Sequence, residues 1–92
     1  MVSREVTIIN PSGLHLKPAA VFSTEALKYD AVITVTASGF TANAKSVLSV
    51  LAACVREGDT VEIACTGPDE AEALENVCRI LEEGLGEIGE NA

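Results

Sequence analysis

Residues 2–9 alternate, with Val2, Val6 and Ile8 on one side and Ser3, Glu5 and Thr7 on the other, the pattern of a strand with one buried face. The same period recurs twice. In residues 31–37 β-branched side chains dominate, with Ile33 and Val35 facing one way, and in residues 60–65 Val61, Ile63 and Cys65 point inward. Ser38-Gly39 supplies a two-residue hairpin turn into Phe40-Thr41-Ala42-Asn43, a short polar strand suited to a sheet edge. Elsewhere the period is helical. Ala19, Phe22 and Ala26, with Val21 or Ser23 beside them, form the inner stripe of a helix running to Leu27 or Lys28. Leu74, Val77, Cys78, Leu81 and then Leu85 form the clearest amphipathic stripe in the chain. Gly67-Pro68-Asp69-Glu70 opens that last helix, with proline in the first turn and acids at its positive end, and Gly84, Gly86 and Gly89 end it.

Between the hairpin and the third alternating strand, Ser46 stands as a natural N-cap for a short helix over residues 47–55. At about 100° per residue, Val50, Ala53 and Cys54 share one side of it while Leu48 and Leu51 lie well round from them. So short a helix does not turn all of these inward: either it is unusually buried, or Leu48 and Leu51 form a small apolar patch that meets a partner. Glu57-Gly58-Asp59 then turns the chain into its last strand.

The predicted order is strand, helix, strand, strand, helix, strand, helix. It points to the α+β class, a four-stranded sheet with three helices on one face. The length of 92 residues allows one domain with a small core, taken as residues 1–85, followed by a frayed tail at 86–92. Three aromatic residues and no Trp leave that core to Val, Ile, Leu and Ala. There is no internal repeat.

Charge separates along the chain. Residues 1–56 hold five of the six Lys and Arg and three of the fourteen acids, whereas residues 57–92 hold Arg79 and eleven acids, giving an overall net charge of −8. That acidity argues against nucleic acid as a partner. No apolar run approaches a membrane span and the N-terminus lacks a signal-peptide pattern, so a cytoplasmic protein with no membrane insertion is expected. Cys54, Cys65 and Cys78 are an odd number without Cys-x-x-Cys spacing, and there is a single histidine. Neither a disulfide framework nor a metal site fits them, and all three are expected as reduced, buried thiols.

The histidine lies in Asn10-Pro11-Ser12-Gly13-Leu14-His15-Leu16-Lys17-Pro18-Ala19-Ala20. Asn10, Pro11 and Gly13 suit positions i, i+1 and i+3 of a type I turn. Pro18 marks a helix start at or just after His15, with Leu16 or Lys17 as the alternative boundary. A helix mouth carries unpaired N–H groups and partial positive charge; Leu16 and Lys17 offer backbone donors there and Pro18 cannot. An imidazole beside that mouth, with the Lys17 cation next to it, is placed to accept a phosphoryl group and hold its charge. Small Ala19 and Ala20 leave room for another protein to approach. The ordinary alternative is a helix-cap or surface histidine with no chemistry.

Residues 13–20, Gly-Leu-His-Leu-Lys-Pro-Ala-Ala, resemble the active-site motif of the histidine-containing phosphocarrier protein family HPr, whose pattern is Gly-Leu-His-Ala-Arg-Pro-Ala. Asn43-Ala44-Lys45-Ser46-Val47-Leu48 is similar to that family's regulatory serine segment. Glu57-Gly58-Asp59-Thr60 and the later Asp69-Glu70-Ala71-Glu72-Ala73-Leu74 resemble its final strand and helix. The resemblance spans residues 2–85. It implies an antiparallel sheet with the two outer sequence strands paired. It also implies a relay without cofactor or metal, in which His15 takes a phosphoryl group from Enzyme I of the phosphoenolpyruvate-dependent sugar phosphotransferase system and gives it to Enzyme II A domains. Lys17 would steady the phosphate, Ser46 would be regulatory, with a serine kinase or phosphorylase acting on it, and Ala20, Val47, Leu48 and Leu51 would dock partners. A monomer is expected. The sequence departs from the pattern at Lys17, where the family usually has arginine's two-pronged guanidinium, and at the bulkier Leu16.

Three other readings share these residues. One is a nitrogen-related or purely regulatory paralogue, served by a different Enzyme I. Another is a binding module acting through Ser46 and the Leu48, Leu51 patch with His15 idle. The third is a plain structural domain.

Overall fold

A computed structural model of the chain describes residues 1–86. Strand β1 (Val2–Thr7) is followed by helix α1 (Leu16–Ala26), the hairpin β2 (Val32–Ala37) and β3 (Phe40–Asn43), helix α2 (Val47–Ala52), strand β4 (Thr60–Thr66) and helix α3 (Glu70–Glu82). The strands form one antiparallel sheet in the order β1-β4-β2-β3. The last strand made is therefore central, and β3 takes the edge that its polar sequence suits. The helices cover one face, as the patterning predicts. The proposed tail at 86–92 lies, Gly86 apart, outside the described residues.

The register explains the alternation. Val6 pairs with Val61 and Val35 with Ile63, while Ile33 pairs with Cys65. All six side chains are buried under the helices. The intervening positions face away from the helices: Thr7, Thr41, Thr60 and Glu62 are exposed and Thr36 is half-buried. Threonine hydroxyls pair across that open face, Thr7 with Thr60 at 3.2 Å and Thr36 with Thr41 at 2.9 Å. Ser38 and Gly39 both have positive φ, 51° and 83°, which makes the β2–β3 turn the primed type that follows the twist of the strands.

From the helix side, Phe22, Ala26, Val50, Val77, Cys78 and Leu81 are fully enclosed. Ser23, rather than the 41% exposed Val21, completes the inner stripe of α1. Helices α1 and α3 are joined by a polar chain: the Tyr29 hydroxyl donates to Glu25 at 2.8 Å and accepts from Asn76 Nδ2 at 2.7 Å.

Two expectations need correction. Pro68 does not lie in the first turn of α3, because the N-cap is Asp69 and Pro68 precedes it. The reason is the Asp69 carboxylate, which turns away from its own helix to accept the backbone N–H groups of Asp30 and Ala31, each at 2.8 Å. Gly67 permits this closeness, since a Cβ there would lie 2.6 Å from the Cα of Ala31. Cys54 is exposed rather than buried, although Cys65 and Cys78 are enclosed as expected. Helix α2 stops at Ala52, and Cys54 leaves it in the left-handed region at φ 54°, which swings its side chain off the helix's inner side.

Candidate functional site

The segment before His15 is fastened twice. The Gly13 amide donates to the Asn10 carbonyl at 3.0 Å, closing the expected turn, and the buried Asn10 side chain donates from Nδ2 to the Gly13 carbonyl at 2.7 Å. Leu14, itself buried, then donates its N–H to the carbonyl of Val55 at 3.1 Å. Gly13 makes that contact possible: it sits at φ 60°, and a Cβ on it would fall 2.4 Å from the Val55 oxygen and 2.7 Å from the Arg56 Cα. The glycine is thus required by backbone packed against backbone, a reason the local sequence does not display.

His15 is the N-cap of α1, extended at φ −79° and ψ −172°, and its carbonyl accepts the first helical bond from Ala19 at 2.7 Å. The helix accordingly starts just after His15, at Leu16, as Pro18 predicts. The imidazole makes no capping hydrogen bond and is exposed, so neither ring nitrogen is used up in holding the helix. Leu16 and Lys17 occupy the first two helical positions, their N–H groups preceding the ladder that begins with Ala19. Pro18, buried in the first turn, has no N–H to leave unpaired. Ala19 is fully buried and is part of the core, so it does not open space for an approaching protein; Ala20 is half-exposed.

Beside the imidazole is a concavity of about 530 Å³ lined by Leu14, His15, Leu51, Cys54, Val55 and Arg56. Arg56 is a member that patterning does not single out, and Cys54 is one that helical spacing places on the buried side of α2 instead. They reach His15 through the Leu14–Val55 pairing, and nothing in either local sequence announces a contact between segments so far apart. Lys17 is exposed but is not on the lining of this hollow.

Ser46 caps α2 as its sequence predicts: its Oγ accepts from the Ser49 N–H at 3.2 Å and its carbonyl from Val50 at 3.0 Å. A second serine locks the entry, with Ser49 Oγ accepting from the Asn43 N–H at 2.9 Å. Leu48 is 80% exposed, whereas Leu51 is half-buried against the core and also forms part of the wall beside His15. The two leucines are therefore not equivalent. Val47 is half-buried, and α1 contributes exposed Leu16 and Val21. Since α1 and α2 pack together, the His15 end of the molecule combines a polar reactive group with an interrupted apolar surface.

Among the described residues no group of three or more His, Cys, Asp or Glu side chains is arranged to hold a metal ion, and no helix is long and apolar enough to cross a membrane. Chemically, the site offers one exposed imidazole, unpaired backbone donors and nearby cations, the requirements for receiving a phosphoryl group and parting with it again.

Comparison with known proteins places the whole chain in a family. The family described as "PTS HPr component phosphorylation site" matches residues 2–83. The phosphocarrier protein HPr of Haemophilus influenzae is 37% identical over 81 residues, covering 88% of this chain and 95% of its own. That of Vibrio cholerae is 37% identical over 83 residues, covering 90% and 98%. A crystal structure of HPr from Thermoanaerobacter tengcongensis superposes with a TM-score of 0.91 at 33% identity, covering 95% of this chain and 98% of that one. With the match running from the first strand to the end of the last helix, the chain belongs to the HPr phosphocarrier family of the phosphotransferase system.

Proposed function

We propose that this protein relays phosphoryl groups through His15, taking them from phosphorylated Enzyme I and giving them to the A domains of sugar-specific Enzymes II. The observation that carries the reading is the exposed His15 imidazole at the mouth of α1, with no capping bond of its own. On loading, the His15 Nδ1 lone pair forms the new N–P bond as the donor's bond to phosphorus breaks and the donor atom regains its lone pair; on delivery His15 is the donor, its Nδ1–P bond breaking and Nδ1 regaining its lone pair as a lone pair of the acceptor bonds to phosphorus. The phosphoryl group then lies near the Leu16 and Lys17 N–H groups and the helix's positive end. These exposed groups stabilise its charge without enclosing it, so the group stays transferable. The protein is a carrier with no turnover of its own. Incubation with phosphoenolpyruvate and Enzyme I, followed by intact-mass measurement, should add one acid-labile phosphoryl group to the wild type and none to His15→Ala. Equal labelling of the variant would remove His15 from this role.

Lys17 contributes a mobile point charge in this reading. Lys17→Arg should transfer at least as fast as wild type, and Lys17→Glu far more slowly. A charge reversal without effect on rate would exclude Lys17 from the site. Running the assay with sugar-system and nitrogen-system Enzyme I separately identifies the branch served. Ser46 is assigned a regulatory role, as the target of a serine kinase, and Ala20, Val47, Leu48 and Leu51 form part of the docking surface.

A further inference from the structure

The chain's cations are distributed unevenly in what they hold. Arg4 pairs with Glu75 at 3.3 Å and Lys28 with Glu25 at 2.9 Å, Lys45 donates to the Tyr29 carbonyl at 2.6 Å, and Arg79 donates to Asn76 Oδ1. Among the described residues that leaves two lysine or arginine side chains with no ion pair or side-chain hydrogen bond, Lys17 and Arg56. In a protein of net charge −8, both lie at His15. Lys17 follows it on the helix, while Arg56 stands on the concavity His15 lines. The Arg56 backbone is fixed, its N–H donating to Asp59 Oδ2 at 2.9 Å and its Cα held close to Gly13. The side chain is exposed and uncommitted.

We propose that Arg56 is a phosphoryl-binding residue of the His15 site, its guanidinium engaging the oxygens of the phosphoryl group from the wall opposite the helix mouth. The proposal rests on the reading of His15 as phosphoryl acceptor and adds a second, separately encoded contact to it. A planar guanidinium places two N–H donors on a phosphate in parallel, which Lys17 does not do. Backbone donors at the helix mouth on one side and a charged fork on the other would hold the group between two walls. Arg56 would touch the phosphoryl group itself, so its removal should change the group's own acidity.

The test compares wild type, Arg56→Lys and Arg56→Gln, each first checked by thermal melting, since an exposed side chain without partners should leave the fold intact. His15 is loaded with phosphoramidate, a small donor that needs no protein partner, and the ³¹P resonance is followed against pH. A neighbouring guanidinium favours the dianion, so the phosphoryl pKa should be lowest in wild type, higher in Arg56→Lys and highest in Arg56→Gln. Transfer from Enzyme I should slow about tenfold in Arg56→Gln, with partial recovery in Arg56→Lys. Superimposable ³¹P titrations in wild type and Arg56→Gln would overturn the proposal, whatever the transfer rates. A wild type that takes no phosphoryl group from Enzyme I but still shows the Arg56-dependent titration would instead sink the relay and leave the Arg56 contact standing.

Discussion

The Leu14 N–H donates to the Val55 carbonyl at 3.1 Å, and this one backbone bond is what brings His15 and Arg56 to the same hollow. The Leu14–His15 segment lies between β1 and α1, the Val55–Arg56 segment between α2 and β4, and Gly13 is the point at which they touch without a side chain between them.

Gly13→Ala should therefore be disproportionately harmful. It adds left-handed strain and a methyl group pressed into the Val55 carbonyl, together about 2 to 4 kcal/mol. Urea denaturation should show that loss, with slower His15 phosphorylation in whatever fraction stays folded. A variant as stable as wild type would mean that the two segments separate without cost.

Cys54 should be the thiol that reacts in the native protein. Cys65 and Cys78 are enclosed, and burial raises both of their pKa values, that of Cys78 to about 11. Maleimide should add once, at Cys54, and the adduct, sitting in the concavity, should slow phosphorylation of His15. Because Cys54 has φ 54°, Cys54→Gly should abolish the adduct and raise stability by about 1 kcal/mol, read as a higher Tm.

These two positions show what the sequence carried and what it did not. Strand alternation, the Ser38-Gly39 hairpin, the Ser46 cap and the helix start at Leu16 are local, and local periodicity and turn chemistry display them. Cys54 escapes its predicted place because helical spacing does not hold past Ala52, where the backbone turns left-handed. Arg56 carries no such local signal, because it reaches the hollow beside His15 through the pairing of its neighbour Val55 with Leu14, which only the folded chain creates. In the sequence Asp69 is an ordinary acid at a helix start, yet its carboxylate serves Asp30 and Ala31.

Ser46→Asp should separate capping from regulation. Aspartate is also a good N-cap, so stability should stay close to wild type, whereas Ser46→Ala should lose about 1 kcal/mol. The added charge beside half-buried Val47 and exposed Leu48 should weaken docking and slow phosphorylation by Enzyme I. Unchanged kinetics in Ser46→Asp would rule out regulation by charge at this position.

Asp69 should contribute to acid sensitivity. The Asp30 N–H, foremost, and that of Ala31 stabilise its ionised form and hold its pKa below the usual 3.8, despite some opposing desolvation. A depressed folded pKa gives stability that is fully present above the unfolded value and disappears as pH falls through the folded one. The stability gap between wild type and Asp69→Asn, from urea melts at several pH values, should be largest near neutrality and close as pH falls below about 4. A gap independent of pH would show that the charge is not what matters.

The strand order sets a timetable for synthesis. Among the described residues β1 pairs only with β4, so as the chain leaves the ribosome its first strand, with the Asn10 turn and His15 attached, waits unpartnered until residues 60–66 emerge and slot into the middle of the sheet. A chain halted before that point contains the histidine, the helix mouth and Ser46, but it lacks the central strand that brings the two halves together. The hollow beside His15 is thus assembled only when the fold is nearly complete, and truncated translation products carry the motif without the site.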